Sequence, residues 1–285
     1  MFFCFKNRSM ELANGPRFMG IVNVTPDSFS DGGKFFHPEI AVARAAQLLE
    51  EGADIIDIGG ESTRPGAEAV SEREEISRVV PVICELKRLH PECVISIDTR
   101  KAKVASAAVN AGADIINDVS GLEYSPEIAK IAATGGTGLI LMHMRGLPQN
   151  MQNTENLVYE NIVEEVVTFL AAAAQKALDS GVKRENIVLD PGIGFAKTFE
   201  HNFQLLGEID RIKAIGYPVM VGHSRKAFIG TALNRKMPED RVFGTAGVAA
   251  FLADKGVDIL RVHDVGQIRD AVTMFKLCRQ TEKSE

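Results

Sequence analysis

Short runs of aliphatic and β-branched residues alternate along this chain with longer stretches whose apolar positions recur at helical spacing. The short runs predict strands at Phe18–Asn23, Asp54–Ile58, Val94–Asp98, Asp114–Asp118, Gly138–Met142, Ile187–Asp190, Pro218–Val221 and Asp258–Val262. A helical stretch follows each run, most clearly at Glu39–Glu51, Glu72–His90, Lys101–Ala111, Asn156–Ser180 and Asp240–Lys255. Segments such as IIDI, VISI, IVLD and VMV are almost wholly apolar. Strands of that kind are buried on both faces, as in a parallel sheet covered by helices. Eight regular strand–helix units favour closure into a single (β/α)8 TIM barrel over an open, doubly wound sheet.

A repeated phrase punctuates these units. Glu51-Gly52-Ala53-Asp54, Ala111-Gly112-Ala113-Asp114 and Lys255-Gly256-Val257-Asp258 each lead from a helix into a strand. The glycine is expected to end the helix in a left-handed conformation, at the bottom of the barrel and away from any chemistry. Residues 1–17 precede the first barrel strand and are expected to form an N-terminal extension or barrel-bottom cap. Residues 18–285 then form the barrel, with no linker or second-domain boundary.

Composition narrows the possibilities. The chain has 285 residues, a size usual for a one-domain barrel, and its hydrophobic content of 45% and charged content of 25% are those of a globular protein. A net charge of −6 argues against nucleic acid as a partner, because phosphates need a basic surface, yet it permits a local basic pocket for an anionic substrate. The four cysteines, Cys4, Cys84, Cys93 and Cys278, form no C-x-x-C pair and read as small buried thiols in a reducing cytoplasm. No run approaches a membrane span, and Lys6 and Arg8 interrupt the apolar N-terminus too early for a signal sequence.

In a barrel of this type the chemistry sits at the C-terminal strand ends and the following loops. Here those ends carry Asn23, Asp57, Asp98, Asn117 with Asp118, Met142 with His143, Asp190, His223 with Ser224, and Arg261 with His263. Any single Asp or Asn could be a helix cap, and Asp118 and Asp264 read as structural. Convergence of eight such ends on one mouth reads instead as a site. Asp98, Asn117 and Asp190 follow apolar residues and should be partly buried, where carboxylates need partners. Two carboxylates and an amide suit a ligand with several N–H donors on one edge, such as an aminopyrimidinone. Lys226 is their basic complement.

A second, basic group comprises Arg64, Arg261 and His263. Positions 261 and 263 are two apart on an extended segment, so their side chains share a direction. The ends of the last two barrel strands often hold phosphate, and a guanidinium fork suits its oxygens. Gly222-His223-Ser224-Arg225-Lys226 is expected to open a helix whose N-terminus would suit a carboxylate. Two long loops, Asn23–Gly33 and Gly59–Ala67, read as lids. There is no H-E-x-x-H or Cys/His cluster for zinc. Magnesium, which takes few protein ligands and completes its shell from substrate phosphates, fits better, with Asn23 as candidate ligand.

Seven segments in order, GIVNVTPDSFSDGG, ESTRPGA, SIDTRK, INDVSG, LDPGIGF, GHSRK and RVHDV, resemble dihydropteroate synthases from about Met19 to Val265. The resemblance implies condensation of (7,8-dihydropterin-6-yl)methyl diphosphate with 4-aminobenzoate, Mg2+ dependence and a homodimer. It implies that Asp98, Asn117, Asp190, Lys226 and Met142 hold the pterin. It places Asn23 at the metal and, with Arg64, Arg261 and His263, at the diphosphate. Thr63, Pro65, Phe195, Ser224 and Arg225 resemble the 4-aminobenzoate site, and Asp27, Phe29 and Asp31 the mobile first loop. The implied reaction is SN1-like, with Asp98, Lys226, Asp190, Arg261 and His263 as its catalytic residues. Gly244-Thr245-Ala246-Gly247 and the apolar N-terminus depart from the pattern and touch no expected ligand contact.

Three other readings stand beside this one. A barrel that transfers a methyl group from a folate would share the INDVSG-like segment but would not need STRPG or SRK, and this chain has both. A non-catalytic pterin-binding protein would not need the basic trio and Asn23. An aldolase-type barrel would need a Schiff-base lysine within a strand, whereas Lys226 falls just beyond the seventh.

Overall fold

The computed structural model describes residues 1–25, 38–62 and 66–281. The chain opens with an antiparallel hairpin, β1 (Phe2–Phe5) and β2 (Arg8–Glu11). Eight parallel strands follow: β3 (Arg17–Asn23), β4 (Ile55–Gly59), β5 (Ile95–Asp98), β6 (Ile115–Asp118), β7 (Gly138–Met142), β8 (Ile187–Asp190), β9 (Met220–Gly222) and β10 (Ile259–Val262). They neighbour one another in chain order from β3 to β8, and β10 lies between β3 and β9. Between β8 and β9 the closure is a single parallel bridge, Leu189 with Val219, beside a 2.9 Å bond from the Leu189 amide to the Pro218 carbonyl. Helices cover the outside, so the architecture is the (β/α)8 barrel.

The barrel interior follows from the two-residue period of a strand. Met19, Ile55, Val94, Ile115, Ile140, Val188, Met220 and Ile259, one from each strand or its lead-in, form the lowest layer. Phe3, Phe5 and Leu12 pack into that layer from below, so the hairpin plugs the N-terminal end. Gly138 is required there, because a Cβ would lie 2.5 Å from the Phe3 ring. Two residues farther along the same strands come Asp57, Ser96, Asn117, Met142, Asp190 and Arg261. With Ile21 and Gly222 in the same layer, the interior turns from wholly apolar to largely polar in one step of the pleat.

The repeated glycines behave as expected: Gly52, Gly112 and Gly256 have φ of 96°, 121° and 65°. The structure corrects two expected elements and the reading of the cysteines. The helix expected over 156–180 is two, Thr154–Leu157 and Ile162–Asp179, the second capped by the Asn161 side chain on Val163 and Glu164. Residues 222–226 do not open a helix; the helix starts at Ala227, because Arg225 at φ 57° breaks helical geometry. Of the cysteines only Cys93 is buried, where loss of solvent pushes its thiol up to about 11, while Cys84 and Cys278 are exposed.

Candidate active site

The polar layer at the top of the barrel is an ion and amide ring. Arg261 donates through Nε to Asp57 Oδ2 at 2.6 Å and through Nη2 to Asp98 Oδ2 at 2.5 Å. Asn117 Nδ2 donates to the same Asp57 oxygen at 3.2 Å. Asp190 accepts from the Gly192 amide at 2.7 Å. Lys226 Nζ donates to the Ile193 carbonyl and lies 4.3 Å from the Phe195 ring centroid. β4, β5, β6, β8 and β10, with the loop after β9, thus bring Asp57, Asp98, Asn117, Asp190, Arg261 and Lys226 together.

Three acceptors of this ring, Asp57 Oδ1, Asp98 Oδ1 and Asn117 Oδ1, are buried and take no hydrogen bond. A buried acceptor without a donor costs about 1–3 kcal/mol, so a cluster of three marks a place prepared for a donor-bearing ligand. The charges respond to burial in the same way. Burial drives the Asp98 carboxyl upward, against the pull of Arg261. It also raises Asp190, against Lys226. It brings the Lys226 ammonium down to about 7, against Asp190. Geometry makes the Asp98–Arg261 contact an ion pair, and burial with neighbouring Asp57 explains why Asp98 still holds its proton more tightly than an exposed aspartate.

Other expected site residues surround the ring. Asn23 ends β3, half-buried, opposite Gly59. Met142 ends β7 and packs with Val119, Met144, Met151 and Ala196, with Phe195 against them. The Ser224 hydroxyl lies 3.0 Å from His263 Nδ1 and accepts from the His263 amide at 3.1 Å. Arg225 is anchored by Asp264, its Nε donating to Oδ2 at 2.8 Å and its Nη2 to Oδ1, a contact that fits the structural reading of Asp264. Asp118 is too, accepting from the Ser120 amide and hydroxyl and the Leu122 amide. His223 is buried outside the ring and held neutral by burial, down to about 4. The expectations for Asp27, Phe29, Asp31, Thr63, Arg64 and Pro65 lie outside the described residues.

Sequence reading left several groups unassigned. Asp57, in the middle of β4, is the hub of the ring. Glu61 accepts from Arg100 Nη2 at 2.9 Å, Lys101 Nζ at 2.5 Å and the Val70 amide at 2.9 Å. Lys101 Nζ also donates to the Val70 carbonyl at 2.6 Å and to Glu75 at 2.7 Å. Positions 61 and 70 are thus tied to each other and to the end of β5, which bears Asp98. Glu61 and Lys101 stand in the segments ESTRPGA and SIDTRK, yet nothing in spacing shows that they meet. Lys197 and His143, buried beside the ring, were likewise unassigned.

A family model described as pterin binding enzyme matches residues 19–263. The chain belongs to the dihydropteroate synthase family. It is 49% identical over 247 residues to the dihydropteroate synthase of Synechocystis sp., covering 87% of this chain and 84% of that one. It is 44% identical over 270 residues to that of Haemophilus influenzae, covering 95% and 96%. The Xanthomonas albilineans dihydropteroate synthase with 4-aminobenzoic acid superposes at TM-score 0.90 and 42% identity, covering 98% of each chain. The same organism's enzyme in complex with 7,8-dihydropteroate gives 0.86 and 40%, covering 98% and 99%. Family membership makes the chain a transferase. In a dihydropteroate synthase the ring of Asp57, Asp98, Asn117 and Asp190 stands where the barrel fold puts its chemistry.

Two cavities, of about 670 and 330 Å³, lie at the opposite end, between the N-terminal hairpin and the bottom loops. They hold none of the ring residues. Among the described residues no three His, Cys, Asp or Glu side chains come together as a metal cage, and no helix is long and apolar enough to cross a membrane. Magnesium needs no such cage, because it takes few protein ligands and completes its octahedron with water and substrate phosphate; Asn23, at the end of β3, is the residue that would hold it.

Proposed function

We propose that this chain condenses (7,8-dihydropterin-6-yl)methyl diphosphate with 4-aminobenzoate, giving 7,8-dihydropteroate and diphosphate in folate biosynthesis. The observation that carries the reading is the set of three unpartnered acceptors on Asp57, Asp98 and Asn117. An aminopyrimidinone presents matching N–H donors along one edge. Lys226 and Asp190 complete the pterin site, the ammonium facing a ring nitrogen or carbonyl, with Met142 alongside. Arg64, Arg261, His263 and Asn23 serve the diphosphate. Thr63, Pro65, Phe195, Ser224 and Arg225 serve 4-aminobenzoate, and Asp27, Phe29 and Asp31 belong to the covering first loop.

The reaction breaks the bond between the exocyclic methylene carbon and the diphosphate oxygen. Electron density from the dihydropterin stabilises the resulting cation, and buried Asp98 and Asp190 stabilise it further. The arylamine nitrogen then forms the new C–N bond and gives up a proton. Basic side chains stabilise the leaving diphosphate, and bound Mg2+ would supply further charge neutralisation there. The transfer needs no enzymatic nucleophile. The rival methyl-transfer reading finds no support among the relatives, which are named as dihydropteroate synthases.

A cytoplasmic homodimer completes the proposal. Phe199, Phe203, Phe243, Phe251, Met274 and Leu277 are exposed on helices after β8, β9 and β10, with Phe243 at 86%. An apolar face of that kind suits a second copy. Glutamate at position 243 should shift the sedimenting species to monomer. The activity is tested by diphosphate release with Mg2+, with and without 4-aminobenzoate. Release that requires 4-aminobenzoate and matches dihydropteroate formation supports the synthase. Binding of the pterin without release in either case overturns it.

A further inference from the structure

Lys197 is a buried titratable group that the proposed reaction leaves without a role. It lies in the loop between β8 and the helix Phe199–Gly207, and only 3% of it is exposed. Burial holds its ammonium well below the usual lysine range, and nearby Lys226 pushes the same way. A methylene stem with an apolar end could fill such a place without that penalty, so the amine itself needs a reason.

Its contacts supply one. Nζ donates to the Phe195 carbonyl at 2.9 Å and meets His143 Nδ1 at 3.0 Å. With the amine as donor, His143 carries its own proton on Nε2, consistent with burial holding that imidazole neutral. His143 is fixed in turn. Its amide donates to the Asp190 carbonyl at 3.0 Å, and its ring meets Phe169 edge-on at 4.9 Å. The next carbonyl, that of Ala196, accepts from the Tyr159 hydroxyl at 2.9 Å. Ala196 has φ of 48°, a left-handed conformation unfavourable for a residue with a Cβ, so two side-chain donors hold a strained peptide in place. The Phe195 ring is delivered to the Lys226 ammonium as a result.

We propose that Lys197 is a positioning residue, which through the Phe195 carbonyl sets the Phe195 ring against Lys226 and so shapes the arylamine side of the active site. The proposal rests on the reading of Phe195 as part of the 4-aminobenzoate site. It weights the arylamine over the pterin: the acceptor ring on β4, β5 and β6 has no bond to Lys197, whereas Phe195 has one.

The test is steady-state kinetics of Lys197→Met, which keeps the stem and removes the donors, with pterin affinity measured separately by calorimetry. The KM for 4-aminobenzoate should rise about tenfold, the scale of one lost positioning contact, with kcat down no more than about threefold and pterin Kd changed no more than about twofold. Tyr159→Phe, which removes one hydroxyl, should show the same split more weakly, and it decides the matter if Lys197→Met does not fold. Phe195→Ala serves as reference. If Phe195→Ala raises the arylamine KM but neither Lys197→Met nor Tyr159→Phe does, the positioning role is overturned and the subsite stands. If Phe195→Ala leaves that KM unchanged, both are overturned. Equal losses in pterin Kd and arylamine KM would mark a merely structural lysine and overturn the proposal.

Discussion

Replacing Asp57 with asparagine tests whether the ring is one electrostatic unit. Asp57 is fully buried, and its Oδ2 accepts from both Arg261 and Asn117. Stripping a buried cation of its only counter-charge costs about 3–5 kcal/mol. Arg261 keeps Asp98 at 2.5 Å, so the full penalty does not apply. An amide oxygen can still accept from Nε, which leaves the difference between a charged and a neutral acceptor, about 1–2 kcal/mol of stability. Function should suffer more, since slight displacement of a positioned group can cost about 10²-fold in rate. Asp57 also helps to hold the Asp98 proton on, so its neutralisation lowers the pH at which Asp98 ionises. The assays are urea unfolding at neutral pH and kcat/KM across pH. A stable Asp57→Asn with wild-type kcat/KM and an unmoved acidic limb would refute the view that Asp57 sets the geometry and charge of Arg261 and Asp98.

Three further outcomes are expected. Asp98→Asn should fold normally, because Arg261 retains Asp57, yet lose about 10²–10³-fold in kcat, measured as dihydropteroate formed per enzyme. Lys226 has its folded-state pKa depressed to about 7 from an ordinary 10.5, so the unfolded chain binds more protons in between; stability should rise with pH across that window, and Lys226→Met should flatten the rise in urea titrations. Phe3→Ala, which removes a fully buried ring from the barrel plug, should cost about 3–5 kcal/mol in urea unfolding while leaving kcat at 25 °C unchanged, because the plug is at the other end from the ring.

What could be read from sequence was what repeats. The two-residue period of the strands puts Asp98, Asn117, Asp190 and Arg261 inside at the C-terminal ends, and all four stand in the ring. Asp57 has the same phase, but β4 runs two residues past it, and its partners come from β6 and β10. The pairing of Arg225 with Asp264, 39 residues away, is a contact that no local pattern encodes. Glu61 with Lys101, and Lys197 with His143, escape for the same reason. Each pair joins irregular segments after different strands, where neither helical nor strand periodicity constrains direction.

The ring's charge state follows from its composition. Asp57, Asp98 and Asp190 face Arg261 and Lys226, three carboxylates against two cations within a buried layer. A layer made for stability would balance those charges or replace them with apolar residues, since buried ion pairs seldom improve on a packed core. This one keeps an excess acid and three acceptors without donors, while the layer one pleat below is wholly apolar and sealed by Phe3 and Phe5. Burial moves both Asp98 and Lys226 toward their neutral forms; the neighbouring carboxylates push Asp98 the same way and oppose the shift at Lys226. A ligand that donates several N–H groups relieves both costs at once: it satisfies the orphan oxygens and favours the ionised carboxylate. Binding energy is then concentrated on the acid and amide side of the ring.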